Sequence, residues 1–249
     1  MSAHGYLAER ARQGHVASGP LRAIVFEPAG ALYDATPRRR WLWQLATRLG
    51  LRLSYDDFIE PWDAEFLPPV HRGECLYADA LHSFLASLGL SSADLTELKA
   101  AMPLRDQPLE TGVRPLPGVA RGLSHLSKHG LVFAVLSDCS LPGTELKELL
   151  DNLGLGDYFG VVVTSADLGF VKPASHGYRA VSGGLGLRGE ACAMVSARAA
   201  DLAGASSEGW RTISIGTAAG ACADLNIATV PQLVEVVSAW AAEKLLAAS

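Results

Sequence analysis

No C-x-x-C pair occurs among the four cysteines, Cys75, Cys139, Cys192 and Cys222. Their scatter excludes a disulfide framework or a cysteine-rich metal site and fits a reducing compartment. Positive charge is not in excess either. Lys and Arg number 21 against 26 Asp and Glu, for a formal charge of −5, so the chain lacks the electrostatic footprint of a nucleic-acid binder. No window approaches 18 apolar residues, and no membrane span is expected. Residues 1–20 have no apolar core of the kind a signal peptide needs, since Ala8-Glu-Arg-Ala-Arg12 is charged. A soluble, cytoplasmic protein is the expectation.

What is present is core-forming material. Of 249 residues, 49% are hydrophobic, enough for a substantial core in one or two domains. Five short apolar or β-branched runs end in turn signals: Ile24-Val-Phe26, Leu131 to Leu136, Gly160 to Thr164, Ala191 to Val195 and Thr212 to Ile215. Helical patterns lie between or before them, at Val119–His129, Thr144–Leu153, His176–Gly184 and Ala199–Gly209. This alternation predicts an α/β fold, a Rossmann-like doubly wound parallel sheet of about five strands covered on both faces.

The stretch 36–112 has a different pattern. Trp41, Leu42, Leu45 and Leu49 fall at helical spacing, Pro68-Pro69 reads as a break, and Ala78, Leu81, Phe84, Leu85 and Leu88 follow. A small helical cap inserted after the first strand is expected there. The division is then a tail over 1–20, a core over 21–35 and 113–249, and a cap over 36–112. An insertion leaving from the end of strand one sits over the catalytic edge of the sheet.

The most informative residues are Ile24-Val-Phe-Glu-Pro-Ala-Gly-Ala-Leu-Tyr-Asp34. Glu27 stands at the carboxyl end of a buried strand, where open α/β sheets place their ligands. Ala29 and Ala31 stand where such a turn would be expected to present polar groups.

Together with three later segments, this loop resembles the haloacid dehalogenase superfamily of hydrolases and phosphatases over roughly residues 22–235. The family's first motif, Asp-x-Asp-Gly-Thr-Leu after a hydrophobic strand, corresponds to Glu27-Pro-Ala29-Gly30-Ala31-Leu32. The resemblance implies a nucleophile at Glu27, one methylene longer than aspartate, with the general acid replaced by Ala29. Misplacing a reacting atom by 1 Å costs on the order of 100-fold, and losing the acid a further ~10²–10⁴. Glu27 also reads simply as a strand-end carboxylate held by backbone donors. The second motif, a strand ending in Ser or Thr, is Val135-Leu-Ser137-Asp138 and implies an anion-binding hydroxyl at Ser137. The third, Lys-Pro, is Lys172-Pro173 with Tyr178 downstream, and implies that Lys172 neutralises the nucleophile and a bound anion. The fourth corresponds to Ser196-Ala197-Arg198-Ala-Ala-Asp201, in which Asp201 and Gly204-Ala205 match while Ala197 replaces a metal-binding aspartate.

The candidate catalytic residue is therefore Glu27, with Ser137, Lys172 and Asp201 as substrate-binding residues and no metal site. Mg²⁺ binds through one or two carboxylates plus water. Glu27, a carbonyl near Ala29 and Asp201 are the remaining oxygen ligands, so weak or absent Mg²⁺ binding is expected. Arg198 is either a surface arginine or a fixed charge close to Glu27 and Asp201 that fills the vacated metal position. Elsewhere, Cys139 reads as a small buried hydrophobe, and His125 and His129 as surface packing. His71-Arg72 reads either as a substrate contact or as loop polarity, and Arg38-Arg39-Arg40 as a solvated helix start or an acidic-ligand contact.

Three substitutions fall on residues that do chemistry, while the glycines, prolines and apolar runs of the fold remain. The leading expectation is a protein of this fold, impaired in hydrolysis, that binds a small anionic molecule or a protein partner. The alternative is a divergent hydrolase using Glu27.

Overall fold

The computed structural model describes residues 20–101, 113–216, 223–235 and 237, so the expected tail before Pro20 and Cys222 lie outside the described residues. Strand β1, Ala23–Phe26, is buried at every position. It leads to β2 (Tyr33–Asp34) and then to the helices α1 (Thr36–Arg48), α2 (Tyr55–Pro61), α3 (Leu67–His71), α4 (Tyr77–Ser87) and α5 (Ser92–Ala101). The chain returns through β3 (Arg114–Pro115), α6 (Val119–Ser127), β4 (Val132–Ser137), α7 (Gly143–Asn152), β5 (Phe159–Thr164) and α8 (Ser165–Leu168). It continues with α9 (Ser175–Leu185), β6 (Cys192–Ser196), α10 (Ala199–Ser207), β7 (Arg211–Ile215) and β8 (Leu225–Ile227).

The main sheet has six strands in the order β5-β4-β1-β6-β7-β8, one more than expected. The extra strand, β8, has three residues and pairs parallel with β7 from Leu225 to Ile227. A three-residue run carries too little periodicity to read from sequence. Every pairing within this sheet is parallel.

Alternation along β1 divides the core. Ile24 and Phe26 join a cluster with Leu123, Leu126, Leu146, Leu149 and Val195 on the α6–α7 face. Ala23 and Val25 join Leu136, Tyr178, Val181, Met194 and Leu202 on the α9–α10 face. Burial on both faces explains why these strands read as continuous apolar runs.

The helices α1–α5 bury a cluster of their own, with Leu42, Ala46, Phe58, Trp62, Leu81, Phe84 and Leu85 at its centre. On α4 the buried small residue is Ala80, whereas Ala78 is exposed. The expected break at Pro68-Pro69 does not occur. A π-helical turn over Trp62–Phe66 joins α2 to α3, and the prolines fall in the first positions of α3, where a missing N–H costs nothing. Strands β2 and β3 pair antiparallel at the neck where this insertion leaves and re-enters, extended by Leu116 N–H donating to the Leu32 carbonyl at 2.9 Å. No helix among the described residues is long and apolar enough to cross a membrane.

Candidate active site

The central strand β1 lies between β4 and β6, so the three segments that follow them meet at one edge. Phe26 is in register with Val135 and Val195, which brings Glu27 beside the ends of both neighbours. This is the place where strand order reverses and a crevice opens in a doubly wound sheet. The loop after Glu27 closes tightly. The Pro28 carbonyl accepts from the N–H of Leu32 at 2.8 Å and of Tyr33 at 3.2 Å, with Gly30 at φ 82°, a conformation suited to glycine. Ala31 is buried as part of the core, and Ala29 is exposed.

Glu27 Oε1 accepts from Ser137 Oγ at 3.1 Å. Its Oε2 accepts from Lys172 Nζ at 2.7 Å and, at 3.4 Å, from the Asp138 N–H. Side-chain donors, more than backbone ones, hold this carboxylate. Lys172 Nζ also reaches Asp138 Oδ1 at 3.1 Å and the Leu136 carbonyl at 3.3 Å, while its own N–H donates to Asp138 Oδ1 at 3.0 Å. The Glu27 and Lys172 side chains are only 7% and 1% exposed. Burial works against the Lys172 ammonium, but Glu27, Asp201 and Asp138 outweigh it and hold the group above the usual lysine range.

Below them Asp201 is fully buried at the start of α10. Ser196 Oγ donates to its Oδ2 at 2.8 Å and accepts from the Arg198 N–H at 3.0 Å. The Arg198 guanidinium bridges two acids: Nη2 lies 3.3 Å from Asp138 Oδ2 and 3.2 Å from Asp201 Oδ1. Neither oxygen has a well-aligned hydrogen-bond donor, so a cation is what faces both. Burial raises Asp201 to about 6, a rise opposed by Lys172, reinforced by Glu27 and opposed again by Arg198. Tyr178 Oη donates to the Asp201 carbonyl at 2.7 Å and seats α10 against α9.

The flanking loops are braced separately. Ser165 Oγ donates to the Cys139 carbonyl at 3.2 Å and accepts from its N–H at 3.0 Å, and Asp167 Oδ2 accepts from the Gly143 N–H at 2.8 Å. Cys139 packs against the core, and burial pushes its thiol up to about 11, which keeps it protonated and a poor nucleophile.

Ser137 and Lys172 thus both touch Glu27, and Asp201 joins them through Arg198 and Asp138. The sequence assigns no role to Asp138 or Ser196, and it leaves His71 open between a substrate contact and loop polarity. For Asp138, its position directly after the strand-terminal Ser137 was the available signal. His71, at the end of α3, lies within electrostatic reach of Asp138, Arg198 and Lys172, and burial first of all lowers it to about 4, leaving it neutral near pH 7. Arg72 pairs with Glu74 at 2.6 Å. Arg39 pairs with Asp63, and Arg40 lies 5.8 Å from the Tyr55 ring centroid, so neither is an unengaged positive charge on its helix. His125 and His129 lie ring to ring at 5.5 Å, away from this edge of the sheet.

Among solved structures, the chain is similar to a haloacid dehalogenase family hydrolase from Deinococcus radiodurans R1 with bound phosphate and sodium. The TM-score is 0.67 at 18% identity, covering 88% of this chain and 96% of that one. It is also similar to the L-2-haloacid dehalogenase of Xanthobacter autotrophicus with chloropropionic acid covalently bound, with TM-score 0.60, 19% identity and coverage of 88% and 98%. A 2-haloacid dehalogenase from Pseudomonas syringae pv. Tomato DC3000 gives TM-score 0.59 at 22% identity, covering 88% and 99%. No curated protein matches the chain. These likenesses speak to the fold. The family model for haloacid dehalogenase-like hydrolases matches residues 22–209, and the chain belongs to that family.

Proposed function

We propose that this member of the family is impaired in hydrolysis and acts by binding, its ligand a small anion or a protein partner. One observation carries the reading: the donors that would receive a substrate anion, Ser137 Oγ, the Asp138 N–H and Lys172 Nζ, are taken by the carboxylate of Glu27. The extra methylene of glutamate carries that carboxylate further into the cradle than aspartate would. Ala29 brings no acid to protonate a leaving group. A ligand anion therefore meets a site whose inner donors are engaged, with the half-exposed guanidinium of Arg198 as its outermost cation.

A second reading rests on the same carboxylate. Held by Lys172 and Ser137, an oxygen of Glu27 could attack a carbon bearing a halogen. An ester forms, halide leaves, and water then cleaves the ester to restore Glu27 and release the hydroxy acid. That chemistry needs no acid at position 29, and the Xanthobacter structure holds covalently bound chloropropionic acid.

Assays of the purified protein on an aryl phosphate with Mg²⁺ and on a panel of 2-haloacids separate the two. No turnover is expected with the wild type. Turnover that Glu27→Gln abolishes would overturn the binding reading in favour of catalysis by Glu27.

A further inference from the structure

Members of this family commonly use Mg²⁺. The residues here do not fit one. Ala29 and Ala197 offer no side-chain oxygen, and no three His, Cys, Asp or Glu side chains among the described residues meet as a metal requires. The two buried carboxylate oxygens that lack a hydrogen-bond donor, Asp138 Oδ2 and Asp201 Oδ1, both face a single nitrogen of Arg198.

We infer that Arg198 is the resident cation of this site, covalently attached, and that it excludes a divalent ion. A carboxylate buried without compensation is costly, so two such oxygens at one spot demand positive charge there. Lys172 favours the charged Asp201 from a distance, but its direct contacts are Glu27, Asp138 Oδ1 and the Leu136 carbonyl, and it is Arg198 that meets the two open oxygens. The backbone fixes Arg198 for the task. Its N–H donates to Ser196 Oγ, the same hydroxyl that donates to Asp201, so the guanidinium is aimed over the acid it neutralises. Half of the side chain stays exposed, consistent with a group that enters from the ligand side. The inference goes beyond the functional reading above, since a built-in cation serves a binding site and a metal-free displacement equally.

The test is metal binding read by Mn²⁺ electron paramagnetic resonance, together with thermal melting, both independent of turnover. For the wild type, no bound Mn²⁺ signal and an unchanged Tm in millimolar Mg²⁺ or EDTA are expected. Arg198→Ala is expected to melt roughly 5 °C lower or more. Bound Mn²⁺ in the wild type, or an Arg198→Ala protein that melts as the wild type does, would overturn the inference. Should Arg198→Ala not fold, Arg198→Lys and Arg198→Gln decide it: lysine is expected to retain more of the wild-type Tm, and equal values would reject a role for the charge.

Discussion

Lys172 Nζ lies 2.7 Å from Glu27 Oε2, and both side chains are sealed from solvent. The pair joins two segments 145 residues apart and ties the loop after β1 to the one between α8 and α9. Its partners are strongly interdependent, because removing either leaves a buried charge with less compensation than folding requires.

Lys172→Met is accordingly expected to be the most damaging single change in the site. It leaves Glu27, Asp138 and Asp201 with Arg198 as the remaining nearby cation. A loss of about 3–5 kcal/mol is expected from breaking a buried ion pair on one side. Urea denaturation followed by circular dichroism measures it, and a loss below that of typical surface substitutions would contradict the buried-pair account.

Emptying the cradle should make it available. Glu27→Ala frees Ser137 Oγ, the Asp138 N–H and Lys172 Nζ. Calorimetric titration with inorganic phosphate is expected to show binding at least ~10-fold tighter than in the wild type, a gain of about 1.4 kcal/mol. Equal affinity in both proteins would mean that Glu27 does not occupy the anion position.

Two groups give the pH dependence opposite signs. His71 is lowered from 6.5 to about 4, mainly by burial, so the unfolded chain binds its proton first as pH falls. Its contribution is complete above pH 6.5 and is lost as pH drops through 4, amounting to up to about 3 kcal/mol. Asp201 is raised from 3.8 to about 6, again mainly by burial, so its contribution is complete below pH 3.8 and is lost as pH rises through 6. The two offset each other between pH 4 and 6. In His71→Phe, stability is expected to fall with rising pH over that window, and in Asp201→Asn to fall with decreasing pH. Chemical denaturation at stepped pH reads both slopes.

Gly204 is where α10 meets Tyr178. A Cβ there would lie 2.5 Å from Tyr178 Oη and 2.8 Å from two ring carbons, with the tyrosine fully buried and bonded to the Asp201 carbonyl. Gly204→Ala is expected to cost about 1–3 kcal/mol through overpacking. A melting temperature equal to the wild type would show that the helices separate without strain.

Much of this was legible in the sequence because the relevant signals are local. Glu27 stands out as a polar residue at the end of an apolar run, whereas Ser137, Lys172 and Asp201 are picked out by their resemblance to the family's motifs. The α6, α7, α9 and α10 boundaries fell within two residues of their expected positions, since buried faces impose a helical period. Shorter or compensated features escaped. Strand β8 is too brief to show a period, and the π-helical turn before Pro68 absorbs prolines that read as a break.

The sequence by itself determined the layered α/β fold, because residues buried on two faces must be apolar wherever they occur. It also placed a carboxylate and a hydroxyl at the ends of β1 and β4, and a lysine and an aspartate in the segments that follow β5 and β6, which a parallel sheet gathers at one edge. Which groups then pair was decided only by tertiary structure. Distances of about 3 Å between residues tens of positions apart follow from strand order, register and side-chain length, none of which a linear pattern records. That is why Asp138 holds both Lys172 and Arg198, and why Glu27 meets Ser137 and Lys172.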